Sequence, residues 1–149
     1  MKVIRFLKPY RIAMAVAWSL MLVELAVELL NPLFMARIID EGIMNGDLNV
    51  VLKWGFIMVG MSLLAFISGV TNSFFAAHTS QGFGYDVRES LYKKVQSFSF
   101  ASFHKLPTSS LITRMTNDVR QLQNTIFMSL RIMLRAPLLV VGSTIMALI

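Results

Sequence analysis

Residues 76–135 read AAHTSQGFGYDVRESLYKKVQSFSFASFHKLPTSSLITRMTNDVRQLQNTIFMSLRIMLR, and the fold of the chain turns on them. The flanks on both sides are lipid-like, whereas this stretch is polar yet keeps a helical period. Phe83, Val87, Leu91, Val95 and Phe98 recur in steps of four, four, four and three. Ile112, Met115, Val119, Leu122 and Ile126 recur in alternating steps of three and four. Each set is one apolar face of a helix. Between them, residues 99–110 hold the helix breaker Pro107 and the capping residues Thr108, Ser109 and Ser110. The expectation is two antiparallel helices joined at a tip, each stripe burying the other.

Length adds a mechanical point. If the apolar run that starts at Trp54 continues into the first stripe, one helix covers residues 54–98. At 1.5 Å per residue it is roughly 67 Å long. The hydrocarbon core of a bilayer takes about 30 Å of that, so the tip stands on the order of 35 Å beyond it. A lever of that length is expected to touch something. A solvated connecting hairpin and a self-associating coiled coil are the plainer readings of the same pattern.

Composition sets the class. Of 149 residues 56% are hydrophobic and only 15% charged, and the mean hydropathy is +0.65. A soluble domain carries about a quarter charged residues, so this is read as an all-α membrane protein. The net charge of +6 comes from basic residues that flank apolar runs, which fits membrane topology rather than a nucleic-acid partner. The absence of cysteine rules out disulfides and thiolate metal sites, and His78 and His104 are too far apart in sequence to suggest a metal site.

Taken in order, residues 1–11 carry Lys2, Arg5, Lys8 and Arg11 among Val3, Ile4, Phe6 and Leu7, an amphipathic elbow expected at the membrane surface. Residues 12–39 form the first span, followed by a short polar turn over 40–49. Residues 54–77 form the second span, with Trp54 as an interface anchor, and its extension reaches residue 98. Residues 99–110 are the tip and residues 111–149 the third span. Its apolar part, 136–149, is shorter than the ~20 residues a crossing needs, which reads as a fragment of a longer protein. Twelve of the fourteen Lys and Arg residues, Arg131 and Arg135 among them, fall in the elbow or the hairpin, so both are expected in the cytosol.

Few residues could carry chemistry. Glu24 and Glu28 are one turn apart, and Asn31 continues their face. A charged side chain near mid-bilayer costs roughly 2.5–3.5 kcal/mol on insertion scales. The three therefore read as a cation-attracting or proton-exchanging part of a substrate pathway, or as carboxylates hydrogen-bonded to helices outside this sequence. No basic residue is expected at their depth, and Ser62 and Ser68 are the nearest polar candidates. Gly82 and Gly84 form a G-x-G that follows no strand and opens no helix, so they are expected to serve packing or flexibility. Glu89 and Lys93 make a favourable pair four residues apart. No G-x-x-x-x-G-K-[ST] loop, catalytic triad or metal cluster occurs, so no catalytic, cofactor or metal residue is assigned.

The tip carries a resemblance. Ser102 to Val119, SFHKLPTSSLITRMTNDV, resembles the first intracellular loop of ABC exporters, a pattern of roughly F-F-D-x-x-x-T-G-x-L-x-[ST]-R-x-x-x-D. Phe103, Thr108, Leu111, Thr113, Arg114 and Asp118 match it. His104 stands where the family has an acid, Ser109 where it has glycine, and Pro107 is unusual there. Residues 37–43 look like the end of the family's first span, and Tyr85-Asp86-Val87-Arg88 with Leu91-Tyr92 like its second. The order of features agrees over the whole chain. The serine-rich tip and Arg131-x-x-x-Arg135-Ala136-Pro137 look like the subgroup in which two different half-transporters pair.

The resemblance implies the first two spans and part of the third of a six-span exporter domain, acting on a lipid-like or amphiphilic substrate. It implies a second half-transporter, with a heterodimer favoured, and a cytosolic ATPase domain that uses ATP and Mg. Ser102, Phe103, His104, Lys105, Thr108, Ser109 and Ser110 would be the coupling contact with that domain. The readings from other classes are a small membrane protein whose hairpin recruits a partner, and part of an ATP-independent channel or secondary transporter.

Overall fold

The computed structural model describes residues 3–98 and 108–148, and among them every regular element is helical. A 3-10 segment, Val3–Tyr10, leads into α1, Arg11–Arg37. A π-helical stretch, Ile38–Ile43, prolongs α1 up to a tight turn. Gly46 in that turn has a φ of +69°, a conformation that glycine reaches without a Cβ clash. Helix α2 is Leu48–Gln96, opened by the Asp47 carboxylate, which accepts the Asn49 N–H at 2.9 Å. Helix α3, Ser110–Leu148, contains two π-helical stretches, Arg114–Asp118 and Ser129–Met133.

Among the described residues three helices are long and apolar enough to cross a membrane: Arg5–Ile43, Leu48–Gln96 and Ser110–Leu148. In lipid the backbone must satisfy its own hydrogen bonds, and a helix does so within one segment. The side chains agree. Phe56, Phe66 and Phe74 stand 68–74% exposed along α2, a surface suited to lipid or further apolar helices rather than water. The opposite face of α2 steps through Ser68, Asn72, Ala76, Ser80 and Gly84, all buried. Small side chains of this kind let helix backbones approach closely. Against α2, α1 buries Ala17, Met21 and Leu25, four residues apart.

Helix α2 is continuous over 49 residues, about 73 Å, from ahead of Trp54 to just short of Phe98. The two stripes expected to pair do so in part. Phe83, Val87 and Val119 form a buried cluster, with Leu91 and Ile126 packed against it. Ile112 and Leu122 are instead exposed, and Gln123 is buried in the place expected for Leu122. The cause is the π stretch Arg114–Asp118: its wider turns rotate the helix face, so a stripe of threes and fours cannot cross it unbroken.

The elbow is held by the helices themselves. Phe6 and Leu7 pack on the Phe83–Val87–Val119 cluster. The Tyr10 hydroxyl donates to Asp86 Oδ2 at 3.1 Å, and its ring meets His78 edge-on at 6.2 Å. That ring lies where a side chain on Gly82 would go. At the other end Phe34 stacks on Trp54 at 5.8 Å, and the Arg37 guanidinium lies 4.8 Å from the Trp54 ring centre.

Two glycines of α2 should respond oppositely to a methyl group. A Cβ at Gly84 would collide with Gln123 Nε2 and Cγ, whereas one at Gly60 meets nothing within 4 Å. Gly84→Ala is expected to cost about 1–3 kcal/mol by overpacking, and Gly60→Ala to be neutral or slightly stabilising. Thermal unfolding of both variants in one neutral detergent checks this. Equal midpoints would contradict the close α2–α3 approach.

Candidate functional site

Of the residues expected at the tip, Ser102, Phe103, His104 and Lys105 lie outside the described residues. Thr108, Ser109 and Ser110 open the helical segment Thr108–Thr113. The polar residues that the structure brings together lie farther along, at two places.

The first is between α1 and α3. Glu24 Oε1 accepts from Arg135 Nη1 at 2.8 Å, and Glu28 Oε2 accepts from Arg135 Nη2 at 2.8 Å. One planar guanidinium thus bridges two carboxylates a helical turn apart, a geometry its forked donors suit and an ammonium does not. This overturns the expectation that no basic residue reaches the depth of Glu24. The polar stretch before Arg135 groups it with the hairpin, but the Arg135–Leu148 part of α3 packs on α1. The depth can be read off α2. Glu24 Oε2 lies 3.2 Å from the Cβ position of Gly69, whereas Tyr10 of the elbow sits over Gly82. Thirteen residues separate those glycines, about 20 Å of helix.

Neighbouring groups extend the bridge. Arg131 lines a cleft of about 410 Å³ with Glu24, Ser62, Gly69 and Ser73. Ser62 thus shares a cleft with Glu24 as expected, while Ser68 is buried elsewhere on the α2 face. On the far side, Glu28 borders a cavity of about 390 Å³ walled by Leu29, Pro32, Leu33, Leu139 and Met146. Asn31 takes no part in the bridge; its Oδ1 is buried without a hydrogen-bond partner. Among the described residues no group of carboxylates and histidines could hold a metal ion.

The second place is between α2 and α3, toward the tip, around Gln123, which is 4% exposed. Its Oε1 accepts from Arg88 Nη2 at 2.8 Å. Its Nε2 donates to Gln81 Oε1 at 3.0 Å and to the Ser80 carbonyl at 3.4 Å. The Ser80 hydroxyl returns a bond to the Gln123 carbonyl at 2.9 Å. A buried amide with all its groups satisfied fixes one register of two helices. The amide lies over Gly84, so the second glycine of the G-x-G makes room for it. Nothing in the spacing of Gln123 singles it out; the glycine opposite is the only sign in the sequence.

Removing Arg135 should leave two carboxylates without their shared guanidinium, at side chains that are 23% and 45% exposed. Arg135→Gln is expected to destabilise the chain by about 1–3 kcal/mol, between the cost for exposed and for buried pairs. Adding Glu24→Gln and Glu28→Gln to the same chain should restore most of that loss. Unfolding midpoints of the single and triple variants in detergent test the bridge. A triple variant no more stable than the single one would show that the three side chains do not act as a unit.

The family sequence profile of the ABC transporter transmembrane region matches residues 14–149. An uncharacterised ABC transporter ATP-binding protein of Bacillus subtilis (strain 168), YfiB, is 54% identical over 99% of this chain and 26% of its own length. An uncharacterised ABC transporter ATP-binding protein of Mycobacterium tuberculosis (strain H37Rv), Rv1273c, is 31% identical over 95% of this chain and 24% of its own. The ATP-dependent lipid A-core flippase of Pectobacterium atrosepticum is 24% identical over 77% of this chain and 20% of its own. The chain thus spans about a quarter of the length of these relatives. With three long apolar helices in the expected order and a profile match over nearly all of its residues, the chain belongs to the ABC transporter transmembrane region family.

Proposed function

We propose that this chain is membrane-spanning machinery of an ATP-driven exporter, lining part of the translocation pathway and linking it to an ATPase domain. One observation carries the reading: α2 runs unbroken over 49 residues, about 73 Å, more than twice the ~30 Å of hydrocarbon it must cross. A helix that exceeds the bilayer by so much can pass a displacement from its end to its middle. The elbow and the tip stand in the cytosol, where most of the basic residues outside the Arg131–Arg135 region collect. The loop over residues 99–110 is the contact with the ATPase domain. ATP and Mg belong to that domain, since the chain has no phosphate-binding loop. A second half-transporter, preferably a different one, completes the pathway.

The substrate is lipid-like or amphiphilic. A flippase among the relatives favours that class, and so does a cavity with apolar walls and the Glu28 carboxylate at its edge. Arg135 engages one oxygen of each carboxylate, and the Glu28 side chain stays 45% exposed at the cavity edge, so a cationic head group can meet Glu28 there beside the guanidinium.

Cysteines at Phe103 or Lys105 of the longer transporter should crosslink to cysteines on the surface of its ATPase domain, with a yield that changes between the nucleotide-free and ATP-bound states. No crosslink in either state would overturn the coupling reading. Glu28→Gln should slow export of cationic amphiphiles at least several-fold more than neutral ones, measured as uptake into inside-out vesicles. Equal slowing of both classes would remove Glu28 from the pathway.

A further inference from the structure

A polar cleft of about 470 Å³ opens between α2 and α3 near the buried Gln123. Arg88 and Gln81 line it from α2; Thr116, Asn117, Arg120 and Asn124 line it from α3. The spacing explains the grouping. Gln81 and Arg88 are two turns apart on α2, and Asn117, Arg120 and Asn124 follow one face of α3.

Three properties of this cleft point to one kind of ligand. First, its charges have one sign: two guanidiniums line it and no carboxylate does. The ion pairs among the described residues involve Glu89 with Lys93, and Glu24 and Glu28 with Arg135; neither Arg88 nor Arg120 takes part. Second, Arg88 is already oriented. Its Nη2 donates to the buried Gln123 amide, itself held by Ser80 and Gln81, so the guanidinium is positioned before any ligand arrives. A guanidinium has five N–H donors, and one bond to an amide leaves the rest for an anion. Third, the other lining groups are amides and a hydroxyl, which add neutral donors beside the two charges. Paired guanidiniums with neutral donors between them suit a tetrahedral oxyanion with several acceptor oxygens.

The level of the cleft along the helices names the class further. Phe83 and Val87 fall between the lining residues Gln81 and Arg88 on α2, and Phe6 and Leu7 of the elbow pack against the cluster they form with Val119. The elbow is basic and amphipathic, with Arg5, Lys8 and Arg11 among its apolar residues, a pattern suited to the plane of lipid head groups. Basic pockets between helices at that plane take lipid head groups. We infer that the Arg88–Arg120 cleft is a phosphate-binding site, filled by the phosphate of a phospholipid head group or by inorganic phosphate from the adjoining solution.

Arg120 is the residue to change, because it is exposed and takes part in no hydrogen bond or ion pair among the described residues, whereas Arg88 also secures Gln123. Lys94→Gln, at an exposed position away from the cleft, serves as the control for loss of one positive charge. One arm titrates inorganic phosphate into the chain in a neutral detergent, read by calorimetry. The other counts lipids retained by native mass spectrometry from micelles doped with phosphatidylglycerol. Arg120→Gln is expected to weaken binding at least tenfold in one arm, with Lys94→Gln within twofold of the unaltered chain. The arm that responds identifies the source of the phosphate. No binding by the unaltered chain in either arm, or an equal loss from both variants, would overturn the proposal.

Discussion

Two long helices with apolar faces can slide past one another at little cost, because apolar packing given up at one place is regained at the next. The amide of Gln123 prevents this between α2 and α3. Any axial shift breaks its bonds to Arg88, Gln81 and Ser80 and drives its side chain into the backbone beside Gly84. The Gln123 side chain is 4% exposed, so in a shifted register its own amide groups would be left buried without partners, at a cost of about 1–3 kcal/mol each. The Phe83–Val87–Val119 cluster supplies attraction without register; the amide supplies register.

A second clasp joins α3 to α1. Helix α3 lies on α2 along Val119–Met128 and on α1 along Arg135–Leu148, and the π stretch Ser129–Met133 touches both. Gln123 and Arg135 are thus twelve residues apart, about 18 Å, on either side of the change of partner. A π turn rotates the face a helix presents. That is why one helix can offer an amide to α2 and then a guanidinium to α1. Leu130, 1% exposed, fills the junction between them.

Much of this frame is legible in the chain and some is not, for physical reasons. The helical class, the long α2 and the order of elements follow from apolar period and run length, which lipid enforces strictly. The Phe83, Val87, Val119 and Ile126 contacts follow from spacing. Ile112 and Leu122 do not, because spacing arguments assume 3.6 residues per turn and α3 departs from that twice. Arg135 escapes for a related reason. A window average places a residue by its neighbours, and Arg135 has Arg131 on one side and an apolar run on the other. Its place is decided by two carboxylates over a hundred positions away, a pairing no local pattern contains.

The glycines of α2 bear on whether it acts as one body. Glycine inside a helix costs roughly 0.5–1 kcal/mol relative to alanine, so Gly69, Gly82 and Gly84 together would weaken α2 if they faced open space. Each instead faces a side chain of another element: Glu24, Tyr10 and Gln123 respectively. A bend at any of them would break an ion bridge, an aromatic contact or the buried amide network. The positions that look most flexible in isolation are therefore those where α2 is most tightly held. Gly55 and Gly60, which meet nothing within 4 Å, lie nearer the start of α2 than any of these contacts. Any freedom that glycine gives α2 is thus confined to the end remote from the tip, and the half between Gly69 and Gln96 moves with the helices clasped to it.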